Sequence, residues 1–83
     1  MVTKELVMKD FSKMDASPAA LLVQMASKFD SSIYVDQEEK RTNAKSIMGV
    51  MILNFTAGTK ATVTADGADE EAALAGIESF LGA

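Results

Sequence analysis

The sequence predicts an α+β fold: one antiparallel sheet covered on one face by helices, an open-faced β-sandwich of order β-α-β-β-α-β-α. Three observations lead there. Short segments rich in β-formers recur along the chain, Ser17, Ser46 and Asp69 stand where helices would begin, and 83 residues leave room for one domain spanning residues 1–83. No repeat, linker or low-complexity stretch interrupts that order.

Leu6 and Met8 alternate with Val7 and Lys9, which predicts a strand over about Thr3 to Lys9. Asp10 to Asp15 is polar, with Phe11 and Met14 embedded, and reads as a loop held down by two apolar anchors. Ser17 then offers a side-chain acceptor as N-cap, and Pro18 at the first helical position has the right φ and no N–H to leave unpaired. Leu22, Met25, Ala26 and Phe29 recur at helical spacing, so this helix is expected to end near Phe29, with Gln24, Ser27 and Lys28 toward solvent.

Ser32 to Gln37 places Ile33 and Val35 on one face of a strand and Ser32, Tyr34 and Asp36 on the other. Gln37 to Glu39 reads as a turn and Lys40 to Asn43 as the returning strand of a hairpin. Ser46 is a second N-cap. After it, Ile47 to Leu53 predicts about two helical turns, apolar around most of the circumference and interrupted by Gly49. Such a helix is either buried on several sides or exposes an apolar patch. Ala57-Gly58-Thr59 turns the chain into a strand over Thr62 to Ala65, which Asp66-Gly67 ends. Asp69 is expected to cap a last helix, with Glu70 and Glu71 in its first turn and Leu74, Ile77 and Leu81 as the buried stripe.

The composition excludes several classes of function. The chain has no Cys and no His, which removes disulfides, thiolate metal sites, and the commonest near-neutral acid–base group and metal ligand. Catalysis would fall to carboxylates, Lys, Ser or Tyr34 alone, so neither a catalytic residue nor a metal or other cofactor is expected. A net charge of −4, with Glu38 and Glu39 running into Lys40 and Arg41, disfavours binding to a nucleic-acid backbone. The longest apolar run, Ile47 to Leu53, falls far short of the roughly 20 residues that cross a bilayer, and Met1 to Met8 has no signal-peptide core. The expectation is a cytoplasmic protein without membrane insertion.

Four segments carry a resemblance to a known family: Ser17-Pro18-Ala19-Ala20-Leu21-Leu22-Val23-Gln24, Ala26-Ser27-Lys28-Phe29, Asn43-Ala44-Lys45-Ser46-Ile47-Met48-Gly49-Val50-Met51, and Gly67-Ala68-Asp69-Glu70-Glu71. Over essentially its whole length the chain resembles the HPr family, phosphocarriers of the bacterial phosphoenolpyruvate:sugar phosphotransferase system, and in particular its Crh-like forms. The resemblance implies the HPr-like open-faced sandwich and a non-enzymatic role among protein partners. It also exposes a departure. The family pattern before the first helix resembles Gly-(Ile/Leu)-His-Ala-Arg-Pro-Ala, whose His carries phosphate between enzyme I and the enzyme II proteins. Here the stretch is Lys13-Met14-Asp15-Ala16-Ser17-Pro18-Ala19, with Asp15 at the His position and Ser17 at the Arg position.

A phosphohistidine needs an imidazole, so the carrier function does not pass to this chain by resemblance. Ser46, in contrast, matches the Ser that a dedicated HPr kinase/phosphorylase modifies in Gram-positive relatives, where the product acts with the regulator CcpA in carbon catabolite repression. The resemblance implies Ala20, Gln24, Ile47, Met48 and Met51 as partner-binding positions; the loss of the Arg at Ser17 counts against a CcpA-like partner specifically.

Blander readings stand beside these. Capping alone accounts for Ser46 and Ser17, and core packing is the usual reason for an apolar run such as Ile47 to Met51. Asp15 reads as a polar loop residue, as a fixed negative charge resembling a phosphorylated state, or as a phosphate acceptor; the last would normally want a divalent cation and further carboxylates, and only Asp10 is near in sequence. Three functions follow: a Ser46-switched regulatory adaptor; a phosphotransferase-system component that binds enzyme I or enzyme II domains, by relay through Asp15 or in competition with true HPr; or a phosphate-independent binding domain.

Overall fold

A computed structural model describes residues 1–83. The elements are β1 (Val2–Val7), α1 (Pro18–Ala26), β2 (Ser32–Gln37), β3 (Lys40–Asn43), α2 (Ile47–Val50), β4 (Lys60–Asp66) and α3 (Glu70–Leu81). All strand pairs are antiparallel and the spatial order is β1-β4-β2-β3, so β4, late in sequence, sits between the first two strands. The predicted order and the open-faced α+β architecture are what the structure shows.

Registry turns alternation into a core. Leu6 lies opposite Ala61, and Val35 lies opposite both Val63 and Thr42, so one sheet face collects Leu6, Ile33, Val35, Ala61, Val63 and Ala65. The helices cover that face with Ala19, Leu22 and Ala26 from α1, Val50 from α2, and Ala73, Ile77 and Leu81 from α3. Met8 is the largest fully buried side chain, and Phe11 and Met14 anchor the first loop as expected. The opposite face carries Thr3, Glu5, Tyr34, Asp36 and Thr62; there the Arg41 guanidinium forks onto Asp36 at 3.0 and 3.2 Å and lies over the Tyr34 ring.

The boundaries differ from expectation where distant residues intervene. α1 ends at Ala26 rather than near Phe29: the Lys28 and Phe29 N–H groups turn to carbonyls three residues back, both at 3.2 Å, and those of Asp30 and Ser31 are taken at 2.9 Å by the Asp69 carboxylate. Asp69 for that reason makes no side-chain cap to α3, the role expected of it. β1 stops at Val7, since the next two N–H groups donate to Thr59 and Leu81 carbonyls, both at 2.8 Å. α2 is one turn, not two. Leu53 folds inward, and the backbone N–H and C=O of Asn54 are both held at 2.8 Å by the side-chain amide of Gln37. Gln37 is thus a strand residue, and the hairpin turn is Glu38-Glu39, with Glu38 at φ 54°. In α3 the buried stripe runs through Ala73, Ile77 and Leu81, with Leu74 at its edge.

Candidate functional site

The loop before α1 is shaped locally. Asp10 accepts the Ser12 N–H at 2.8 Å, and that interaction, with the Ser12 hydroxyl first among its causes, holds the Asp10 carboxyl below its usual range. Met14 donates to the Phe11 carbonyl at 3.0 Å, and the chain then reaches the exposed residues Asp15, Ala16 and Ser17. Ser17 has the extended backbone of an N-cap and accepts the Ala20 N–H at 3.3 Å. Its hydroxyl is therefore occupied as the sequence predicts. Asp15 forms no ion pair: the cations of the chain that are paired face Asp36, Asp66, Glu70 and Glu78. No three His, Cys, Asp or Glu side chains converge in a way that could hold a metal ion.

The Ser46 region is built more firmly. The fully buried Ala44 continues the sheet by donating to the Ile33 carbonyl at 2.9 Å, and Asn43 folds its side chain back to accept the Lys45 N–H at 2.9 Å. Lys45 extends its ammonium to the Phe29 carbonyl at 2.7 Å, which ties the chain entering α2 to the chain leaving α1. Ser46 follows in extended conformation, half-buried, and its Oγ accepts the Gly49 N–H at 3.3 Å. Gly49 is tight against Thr42, whose methyl lies 3.2 Å from where a Cβ would stand, so α2 sits close on β3.

One apolar side chain of this turn, Val50, points into the core; the others do not. Ile47 is 46% exposed, Met48 80%, Met51 69% and Ile52 63%. Of the two outcomes open to so apolar a segment, the structure shows the exposed patch. Ile52 belongs to it and was not singled out from the sequence; its place in the apolar run was the available signal. α1 packs against α2, with Gln24 exposed and Ala20 half-buried one turn apart on α1. Asp15 and Ser17 lie at the start of α1, whereas Ser46 lies at the start of α2, so the structure describes two separately constructed neighbourhoods joined through the α1–α2 contact.

Known proteins resemble this arrangement over the whole chain. A family model described as "PTS HPr component phosphorylation site" matches residues 2–83. The HPr-like protein Crh of Halalkalibacterium halodurans is 40% identical over 98% of this chain and 96% of its own length. The phosphocarrier protein HPr of Treponema pallidum is 45% identical over 98% of this chain and 92% of its own. Among solved structures, HPr-C-His from Thermoanaerobacter tengcongensis superposes with a TM-score of 0.86 at 41% identity, covering 98% of this chain and 91% of that one.

Proposed function

The chain belongs to the HPr family, and on that premise we propose that it is a regulatory adaptor of Crh type, without histidine phosphocarrier activity, switched by phosphorylation of Ser46. The observation that carries the reading is the junction at Ser46: a hydroxyl on the N-cap of α2, directly followed by a turn whose Ile47, Met48 and Met51 face solvent. A phosphate there adds about −1.5 to −2 charges and three acceptor oxygens beside the Gly49 N–H and at the rim of an apolar surface. Modification thus changes the charge of a contact face without entering the core.

The absence of any His supports the other half of the reading, since no imidazole nitrogen exists to carry phosphate from enzyme I to enzyme II domains. Asp15 supplies a carboxylate at that position with no ion-pair partner and no metal ligand set. In this reading the adaptor works in the cytoplasm. Its partners are an HPr kinase/phosphorylase acting on Ser46 and a protein that docks on α2 and on Ala20 and Gln24 of α1, a CcpA-like regulator being one candidate.

The test is to incubate the protein with ATP and HPr kinase and, separately, with phosphoenolpyruvate and enzyme I, reading intact mass and mapping the phosphate. One phosphate from ATP, absent in Ser46→Ala, is the expected result. Phosphate on Asp15 from enzyme I would establish a relay instead, and no phosphate in either reaction would leave a phosphate-independent binding domain.

A further inference from the structure

The exposed turn after Ser46 holds two sulfur atoms in open solvent. Met48 and Met51 are 80% and 69% exposed, whereas Met8 is 1% exposed in the core. Met14 and Met25 are half-buried, and Met25 packs near Gly76. The chain contains no Cys, no His and no Trp, so the thioethers are its foremost targets for a mild two-electron oxidant. The molecule therefore sorts its methionines by access, and the most accessible internal pair stands two and five positions after Ser46.

We propose that Met48 and Met51 form a peroxide-sensitive modification site that sets two polar sulfoxides into the apolar face beside Ser46 while the fold stays intact. The oxidant is a hydroperoxide. A lone pair of the thioether sulfur attacks the distal oxygen, an S–O bond forms as the O–O bond breaks, and the departing oxygen takes up the proton and leaves as water or an alcohol. Sulfur loses two electrons to become a sulfoxide and the peroxide is reduced by two, so no further reactant is needed.

The fold tolerates this change because neither sulfur contributes to what holds α2 in place. Its anchor is Val50 in the core, and its backbone bonds, Val50 N–H to the Ser46 carbonyl at 2.9 Å and Met51 N–H to the Ile47 carbonyl at 3.0 Å, do not involve either side chain. A partner pressing on the face does not tolerate it, because each sulfoxide oxygen would be desolvated without a guaranteed donor, weakening contact by about tenfold per group. That consequence rests on the reading of this face as the docking surface, whereas the oxidation chemistry does not.

The experiment titrates the full chain with hydrogen peroxide. It follows sulfoxide at each methionine by peptide mapping, retention on a hydrophobic-interaction column, and the thermal midpoint. A Met48→Leu/Met51→Leu double variant and later repair by methionine sulfoxide reductases serve as controls. Met48 and Met51 are expected to oxidise at least about tenfold faster than Met8. Retention should fall with an unchanged midpoint, the reductases should restore it, and the double variant should keep its retention even as the exposed Met1 oxidises. Similar rates at Met48, Met51 and Met8, constant retention, or unfolding in step with oxidation would each overturn the proposal.

A second readout is the rate at which HPr kinase phosphorylates Ser46. Each protein is compared with its own untreated rate: a slowing of about tenfold on oxidation of the natural chain, with no change on peroxide treatment of the double variant, supports the switch; an equal rate before and after oxidation of the natural chain overturns its regulatory part. Should the untreated protein prove no substrate at all, the Ser46 reading fails, and retention and mapping still decide whether the face is oxidised and becomes more polar.

Discussion

Thr42 is the one side chain whose buried polar atom lacks a partner: the residue is 3% exposed, on β3 with its methyl against Gly49 of α2, and its hydroxyl is enclosed there unpaired. Such an oxygen has left water without compensation. Replacing it by a methyl of similar shape, Thr42→Val, should raise stability by about 1 kcal/mol, measured by urea unfolding at constant slope. Gly67 sets the opposite constraint. A Cβ there would stand 2.7 Å from the Cα of Ser31, a backbone atom that cannot swing aside. Gly67→Ala should therefore cost about 1–3 kcal/mol in the same assay. It should also loosen the neighbouring contact in which the Ser31 hydroxyl bonds to Asp69.

At the level of elements, the side-chain amide of Gln37 replaces a strand partner for the backbone of Asn54, and this clasp holds the chain leaving α2, where Ile52 and Leu53 already bond three residues back and Leu53 turns inward. Gln37→Ala should free the segment from Met51 to Thr56, costing about 1–3 kcal/mol and speeding hydrogen exchange of the Asn54 amide well beyond that of amides in β4. The same clasp shows where reading from sequence stops. Starts of elements were legible because their signals are local: Ser17 before Pro18, Ser46 before the apolar run, the alternation of Ser32 to Gln37. The ends of β2 and β3, at Gln37 and Asn43, were legible too; those of α1 and α2 were not, because the backbone beyond them is taken by side chains far away in sequence, a carboxylate 39 residues from Asp30 and an amide 17 residues from Asn54. Asp69 was readable as a residue that binds N–H groups, but not as one that would serve a distant loop rather than its own helix. Ser46 and the exposure of its neighbours were legible because the run held more apolar positions than one turn can bury; Ile52 was missed for want of a residue-by-residue signal of which way each would face.

For the whole molecule, the carboxylates with displaced pKa values fix the direction of its acid response. Asp69 is held below its ordinary 3.8 mainly by the Ser31 hydroxyl, with the Asp30 N–H next. Glu70 is held below 4.5 first by the amino terminus at 2.9 Å and then by the Gly67 N–H. A group whose folded pKa lies below its unfolded one adds stability that is complete above the unfolded value and is lost as pH falls through the folded value. With no His to titrate, the thermal midpoint should stay level from about pH 7.5 to 5 and decline below about pH 4.5. Asp69→Asn should lower the midpoint at neutral pH and make the acid decline shallower. The Met1 amine is raised above 8.0, chiefly by Glu70, so its contribution is present below that value and fades as pH rises through the folded pKa.

The strand order has a bearing on synthesis as well. β1 has no partner but β4, with Val2 opposite Ala65 and Val7 opposite Lys60. On a ribosome adding about 5–20 residues per second, the first strand emerges roughly 3–12 s before the chain it must pair with. Throughout that interval the nascent polypeptide can close only the β2–β3 hairpin and parts of α1, while Leu6 and Met8 wait uncovered with Lys4 and Glu5 as their charged neighbours. The sheet can therefore close only after β4 has been made, and in the seconds before that the first strand is open to chaperones, proteases and other nascent copies alike.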